Sequence, residues 1–278
     1  MNYPEKLKLV IWDLDETFWD GTLSEGNITT IEENILIVKE LTNRGIVNSI
    51  SSKNNYEDVL EKLKELELND YFVFPKINWK PKGEQIKNTI SEMGLRDVNC
   101  IFIDDNKLNL KEVRHRCENI YTYLPEEILD KLLQLPCAKG KDDKNHSRLE
   151  QYKILQEKGK AKQGSNDSNI DFLENCEINI SIDYNCEDHI ERIIEMIDRT
   201  NQLNFTKKRL ENSKKVNQFK KLLNHYQTNA AVIKCSDKFG DYGVVGFYLL
   251  RKENDIRGVL EHFVFSCRII NMGIESYL

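Results

Sequence analysis

Short apolar runs alternate with helix-period segments from residue 7 to residue 123, and that rhythm constrains the fold more than any other feature of the chain. Residues 7–12 are apolar and rich in strand formers. Thr29-x-x-Glu32 has the form of a capping box, and Ile31, Ile35, Val38 and Leu41 recur at helical spacing. Gly45 then stands where a helix C-terminus favours positive φ. The same reading predicts strands at 46–50, 71–74, 98–103 and 120–123, and helices at 56–66, 82–93 and 108–117. Strand–helix alternation with short connections implies a parallel sheet covered by helices on both faces. In such sheets the chemistry gathers beyond the carboxyl ends of the strands, where the strand order reverses.

Four successive strand ends carry polar residues that suit one another. Asp13-Leu14-Asp15-Glu16-Thr17 follows the first strand. A carboxylate there can attack phosphorus to form an aspartyl phosphate, and a second one two residues on can serve as general acid and then general base. The second strand ends in Ser51-Ser52-Lys53-Asn54, where a hydroxyl can donate to a phosphoryl oxygen or cap the next helix. The third leads through Asn78-Trp79-Lys80-Pro81-Lys82-Gly83, and a lysine at a helix start can offset charge on a pentacoordinate phosphoryl group. The fourth ends in Asp104-Asp105-Asn106, adjacent carboxylates that suit Mg²⁺, a hard ion preferring oxygen ligands. Each motif alone is equally a polar turn; together they make the set that metal-assisted phosphoryl transfer requires. Ser52 is preferred to Ser51 and Lys82 to Lys80, because each sits at the strand-to-helix junction, and both alternatives stay open. The gaps between Asp15, Ser52 and Lys82 are filled by a turn, two helices and a strand. They leave no room for a cap domain, and an open site suits a large or protein-tethered substrate.

Residues 136–170 have a different character, with Lys139-Gly140-Lys141-Asp142-Asp143-Lys144 and Gly164-Ser165-Asn166-Asp167-Ser168. They read as a solvated, partly helical linker. The division is then 1–135, linker 136–170, and 171–278. In the last region 178–182, 231–234, 244–250 and 259–266 are strand candidates and 190–197 is an amphipathic helix, which gives a smaller α+β domain. Asp237-Lys238-Phe239-Gly240-Asp241-Tyr242-Gly243 reads as a hairpin turn. Arg199-Thr200-Asn201-Gln202-Leu203-Asn204-Phe205-Thr206 is rich in amides and hydroxyls. Ser266-Cys267-Arg268 lies at a strand end, where Cys267 could be a reactive thiolate helped by Arg268 or a helix N-terminus.

The formal charge of −6 argues against a general nucleic-acid binder. No run of 18 apolar residues exists, so no membrane span is expected, and the N-terminal residues lack the regions of a signal peptide. Seven cysteines cannot all pair within the chain, and no Cys-x-x-Cys spacing offers a zinc site. A reduced, cytoplasmic setting is the expectation.

The order Asp-x-Asp, Ser, Lys, Asp-Asp resembles the four-motif signature of the haloacid dehalogenase (HAD) superfamily over roughly the first 125 residues. That resemblance implies a Rossmann-like parallel sheet without a cap. It also implies Asp13 as nucleophile, Asp15 as acid/base, and Ser52 and Lys82 as holders of the phosphoryl group. Mg²⁺ would be bound by Asp13, Asp104 and the Asp15 carbonyl, with Asp105 in support.

Nearly the whole chain resembles the FkbH-like proteins, which join a subfamily IIIC HAD domain to an acyltransferase-like (GNAT-like) domain. The match is carried by Ile11-Trp12-Asp13-Leu14-Asp15, Ser52-Lys53-Asn54, Asn78-Trp79, Phe102-Ile103-Asp104-Asp105-Asn106, Thr200-Asn201-Gln202, Phe239-Gly240-Asp241 and Ser266-Cys267-Arg268. It implies glyceryl transfer from 1,3-bisphosphoglycerate, a phosphorylated small-molecule donor, to the phosphopantetheine thiol of an acyl carrier protein in polyketide-type assembly. Cys267 would carry the glyceryl group as a thioester. Thr17, Asn54, Asn201, Gln202 and Arg268 are the implied substrate contacts, and Lys207-Lys208-Arg209 and Lys214-Lys215 are candidates for docking an acidic carrier. The alternative is a capless phosphatase with a structural second domain. The chain departs from the family in three places. Ser51 stands where a Cys is frequent, Asn271-Met272-Gly273 replaces a Gly-Arg-Gly pattern, and the family's second domain continues past Leu278, so a truncated domain is expected.

Overall fold

The computed structural model describes residues 2–26, 28–164, 173–200, 203–254, 257–266, 269 and 272–278. Two compact units divide between Gly159 and Lys160.

The first unit is built on a five-stranded parallel sheet. Its strands are β1 (Leu9–Trp12), β4 (Val47–Ser52), β5 (Lys76–Ile77), β6 (Cys100–Ile103) and β7 (Tyr121–Tyr123), in the order β5-β4-β1-β6-β7. A two-stranded hairpin, β2 (Trp19–Asp20) with β3 (Thr29–Thr30), follows β1. The helices are α1 (Glu32–Asn43), α2 (Tyr56–Glu65), α3 (Lys82–Glu92), α4 (Lys107–Arg116), α5 (Pro125–Ile128) and α6 (Ser147–Gly164).

The buried strands send alternate side chains into two cores. Val10 and Trp12 of β1 pack with Ile35, Val38 and Leu41 of α1 and Val59 and Leu63 of α2. Leu9 and Ile11 pack with Ile86 and Ile90 of α3 and Leu110 and Val113 of α4. Gly45 and Gly94 end α1 and α3 with φ of +65° and +61°, the left-handed conformation that glycine adopts without a Cβ clash.

Three sequence expectations shift. The Thr29–Glu32 capping box is absent. Thr29 and Thr30 pair with Asp20 and Trp19 instead, and Ile31 occupies the N-cap with no side-chain hydrogen bond. Hairpin pairing satisfies those backbone groups more fully than one capping bond could. The third strand is Lys76–Ile77 rather than 71–74, where only Phe72 bridges Asn48 and Phe74 has φ +52°. The linker expected at 136–170, read as solvated and partly helical, contains all of α6, but Leu149 and Tyr152 of that helix are buried in the core with α3 and α4. The Asp143 carboxylate caps α6, accepting from the backbone N–H groups of Ser147 and Arg148 at 2.9 Å each.

The second unit has an antiparallel sheet of β8 (Asn179–Asp183), β9 (Thr228–Asp237), β10 (Gly240–Lys252) and β11 (Gly258–Phe265), in the order β11-β10-β9-β8. Helices α7 (Ile190–Arg199) and α8 (Ser213–Leu223) bury Ile193, Met196, Ile197 and Phe219 against Val232, Phe247, Leu249 and Val264 of the strands. The turn read at 237–243 is tighter than expected: Lys238 and Phe239 join β9 to β10, Asp237 pairs with Gly240, and Asp241–Gly243 already belong to β10. A last short helix is α9 (Ile274–Tyr277).

Candidate active site

The chain runs from β1 outward to β4 and β5, then returns to β6 and β7 on the other flank, so strand order reverses between β1 and β6. Trp12 is level with Ile103, and the N–H of Asp13 donates to the Ile103 carbonyl at 2.9 Å. The next residue of each strand is a carboxylate. Asp13 and Asp104 therefore emerge side by side at the switch point because of register, not because of any contact between them in sequence.

Lys82 joins them. Its Nζ lies 2.7 Å from Asp13 Oδ2 and 2.7 Å from Asp104 Oδ2, and the lysine is 1% exposed. The ammonium also lies 5.8 Å from the centre of the Phe102 ring. Lys82 opens α3, and the next residue lets that helix pack closely on α4. The Gly83 N–H donates to Glu112 Oε1 at 2.7 Å, and a Cβ at Gly83 would meet Arg116 Cγ at 2.8 Å. Asp104 has no exposure and is held on both oxygens. Asn106 N donates to Oδ1 at 2.8 Å, and Asn109 Nδ2 donates to Oδ1 and Oδ2 at 3.1 Å each. Asp105 is exposed at the mouth, and its backbone N–H donates to Thr17 Oγ1 at 3.0 Å.

Ligand oxygens of Asp13, Asp104 and Asp105 can all lie within 4.8 Å of one another. Burial pushes the Asp13 carboxyl up to about 6, against the downward pull of Lys82 and with the added repulsion of Asp104. Asp105 is raised too, by burial and by Asp104. Three carboxylates share one ammonium here, so the cluster carries excess negative charge in a partly buried place. All its donors are hard oxygens, which fits a magnesium ion.

Asp15 stands apart, bonded to the hairpin and to the end of β4. Its Oδ1 accepts from Trp19 Nε1 at 2.9 Å and from Leu23 N at 3.1 Å, and its Oδ2 accepts from Asn54 Nδ2 at 3.0 Å. Asn54 Nδ2 also reaches Ser52 Oγ at 3.2 Å. Ser52 caps no helix, since Asn55 caps α2, so its hydroxyl stays in the Asp15 group. Ser51 Oγ is buried and has no hydrogen-bond partner. Lys80 is exposed, which separates it from the buried Lys82.

The residues expected in the first unit thus fall into two groups, with Asp13 and Asp15 two residues apart after β1. Asp13, Lys82, Asp104 and Asp105 form the charged cluster, while Asp15, Ser52 and Asn54 form the neighbouring hydrogen-bonded group. Thr17 and Asn54, read as substrate contacts, engage Asp105 and Asp15. Trp19, Asn109 and Glu112 were not singled out from sequence. They act through hydrogen bonds set by tertiary packing, and no spacing marks them.

Among the second-unit candidates, Asn201, Gln202, Cys267 and Arg268 lie outside the described residues. Ser266 directly follows β11, and its N–H donates to the Val245 carbonyl at 2.7 Å. The amide-rich stretch has a structural use at Asn204, which is 1% exposed. Its Nδ2 donates to the carbonyls of Ile197 and Lys208, and its Oδ1 accepts from Lys207 N. In the basic stretches, Lys208 pairs with Glu261, and Lys215 pairs with Glu211 at 2.7 Å. The Arg209 guanidinium donates to the Ile197 carbonyl. The six described cysteines are buried, and burial raises the Cys186 thiol to about 11. No helix among the described residues is long and apolar enough to cross a membrane.

No protein-family model matches the sequence, and a comparison with curated proteins gives no match. Solved structures similar to this one include HAD-superfamily hydrolases and phosphatases. One is the N-terminal part of a Bacteroides fragilis protein, containing a phosphatase domain complexed with Mg (24% identity, TM-score 0.42). It covers 50% of this chain and 41% of that one. A second is the cobalt-bound deoxy-D-mannose-octulosonate 8-phosphate phosphatase of Haemophilus influenzae (16% identity, TM-score 0.39, covering 49% of this chain and 90% of that one). A third is a mutant HAD family enzyme of Bacteroides thetaiotaomicron in complex with magnesium and inorganic phosphate (14% identity, TM-score 0.35, covering 42% of this chain and 93% of that one). This chain thus spans well under half of the Bacteroides fragilis chain, and the likenesses concern fold alone.

Proposed function

We propose that the first unit is a magnesium-dependent phosphatase or phosphotransferase of the HAD type, acting on a phosphorylated small molecule. The observation that carries this reading is the buried Lys82 ammonium set 2.7 Å from each of two carboxylates at the switch point, with a third carboxylate beside them. Asp13 attacks phosphorus and holds the phosphoryl group as an aspartyl phosphate. Lys82 balances the charge that builds on the phosphoryl oxygens, and the Ser52 hydroxyl donates to one of them. Asp15 gives a proton to the leaving oxygen and later takes one from the attacking water. A magnesium ion held by Asp13, Asp104, Asp105 and the Asp15 carbonyl would supply Lewis-acid charge at the phosphoryl group. Release of p-nitrophenol from p-nitrophenyl phosphate tests the reading. Activity should appear with Mg²⁺, vanish with EDTA and be lost in Asp13→Asn. Unchanged turnover in Asp13→Asn would overturn it.

The finer reading is glyceryl transfer from 1,3-bisphosphoglycerate to the phosphopantetheine thiol of an acyl carrier protein, with Cys267 as the thioester carrier. It rests on the second-unit motifs, above all Ser266-Cys267-Arg268 directly after β11. Its test is the mass of a phosphopantetheinylated carrier after incubation with donor and Mg²⁺. A glyceryl gain that disappears in Cys267→Ser supports it, and an undiminished gain in that variant removes Cys267 from the mechanism. Phosphate release without any gain leaves the plain phosphatase.

A further inference from the structure

We infer that Trp19 and Asn54 are positioning residues that make Oδ2 the proton-carrying atom of Asp15. The inference rests on the phosphoryl-transfer reading of the site. A carboxylate oxygen offers two lone pairs in its plane. On Oδ1 both are taken, by the Trp19 indole N–H at 2.9 Å and the Leu23 N–H at 3.1 Å. On Oδ2 one is taken by the Asn54 amide at 3.0 Å. The remaining lone pair of Oδ2 meets no described protein donor, so the proton Asp15 carries belongs there.

The donors come from places that cannot drift independently. Trp19 has no exposure and lies in β2, while its ring packs edge-on against Phe18. The base of the hairpin is tied to α1, because Asn34 Nδ2 donates to the carbonyls of Thr17 and Phe18 at 3.2 and 3.0 Å. Asn54 is 4% exposed and anchored to Ser52 at the end of β4. The carboxylate is therefore gripped from the hairpin on one oxygen and from the sheet on the other. A gripped carboxylate keeps one orientation toward the leaving oxygen, where a free one would rotate.

In the first step the Asp13–phosphorus bond forms as the bond from phosphorus to the leaving oxygen breaks, and the Oδ2 proton passes to that oxygen. In the second, water oxygen bonds to phosphorus as the Asp13–phosphorus bond breaks, and the water proton returns to Oδ2. Asp15 ends as it began, and the net change is hydrolysis of the ester.

The test compares a leaving group that needs a proton with one that does not. Rates are measured on glycerol 3-phosphate and p-nitrophenyl phosphate for the wild type, Trp19→Phe, Asn54→Ala and Asp15→Asn. Trp19→Phe keeps an aromatic ring in the core and removes the N–H donor with part of the indole's bulk, a packing loss that falls equally on both esters. General acid catalysis is worth about 10²–10⁴-fold, so a loosened acid should cost the alkyl ester about tenfold more than the aryl ester. Asn54→Ala should shift that ratio the same way, and Asp15→Asn should shift it furthest. Equal losses on both esters, or none, would overturn the inference while leaving the phosphatase reading intact. A wild type inactive on both esters, or an Asp13→Asn variant that keeps its activity, would overturn the phosphatase reading and this inference with it.

Discussion

Replacing Lys82 with methionine removes the cation set between two buried carboxylates and keeps most of the side chain's bulk. The ammonium is 2.7 Å from each carboxylate oxygen. At an effective dielectric near 20, each attraction is worth about 6 kcal/mol before the several kcal/mol needed to strip water from the ion. Removing one partner of a buried ion pair costs about 3–5 kcal/mol, and here two carboxylates lose their partner at once, so the loss should fall near the top of that range. It should also depend on pH. Asp13 already sits above its unfolded value of 3.8, at about 6, so its charged form costs stability. That cost is absent below the unfolded value, grows between the two values and is complete above the folded one. Without Lys82 the folded value moves higher, so the variant should lose more at pH 8 than at pH 5, where a proton replaces the missing charge. The assay is urea denaturation in EDTA, followed by tryptophan fluorescence. The three tryptophans, Trp12, Trp19 and Trp79, all lie in the first unit, so the signal reports that unit alone. A loss under about 1 kcal/mol, the size of an exposed ion pair, or a larger loss at pH 5 would refute the reasoning.

Gly83→Ala should destabilise the first unit by about 1–3 kcal/mol, because the new Cβ would press on Arg116 and Glu112. The same fluorescence assay measures it. Asp105→Ala should weaken magnesium binding by at least about tenfold in calorimetric titration while leaving the fold unchanged, since Asp105 is exposed. In the second unit, His262 is 6% exposed beside the Phe219 and Phe247 rings, and burial pulls it down to about 4. The unfolded chain takes up a proton below about 6.5 that the folded unit refuses, so stability is complete above that pH and falls by about 3 kcal/mol toward pH 4. Amide exchange of β9–β11 at pH 7 and pH 4.5 should show this loss, and His262→Phe should remove it.

The sheet and its charged cluster were legible because they rest on patterns that local sequence records. An apolar run followed at once by a carboxylate marks both β1 with Asp13 and β6 with Asp104. A lysine at the start of a helix marks Lys82. The topology then brings these together through register, which the alternation itself implies. What was misread depends on partners distant in sequence. Thr29 and Glu32 satisfy a local capping pattern, yet Thr29 and Thr30 are drawn into pairing with Trp19 and Asp20. Tyr71–Phe74 has strand composition, yet only Phe72 forms a β-bridge with β4, and the paired segment lies just beyond Pro75. Trp19 and Asn109 were invisible as site residues for the same reason. An indole or an amide announces nothing until the fold places a carboxylate within 3 Å of it or just beyond.

As the nucleophile of the proposed reaction, Asp13 should become covalently phosphorylated during turnover. Quenched-flow mass spectrometry of the peptide containing Asp13, with p-nitrophenyl phosphate and Mg²⁺, tests it most directly. A transient gain of one phosphoryl group on Asp13 is expected, forming no slower than the steady-state turnover and lost in Asp13→Asn. Turnover with no phosphoryl group on that peptide at any time, or with the group on another residue, would contradict it.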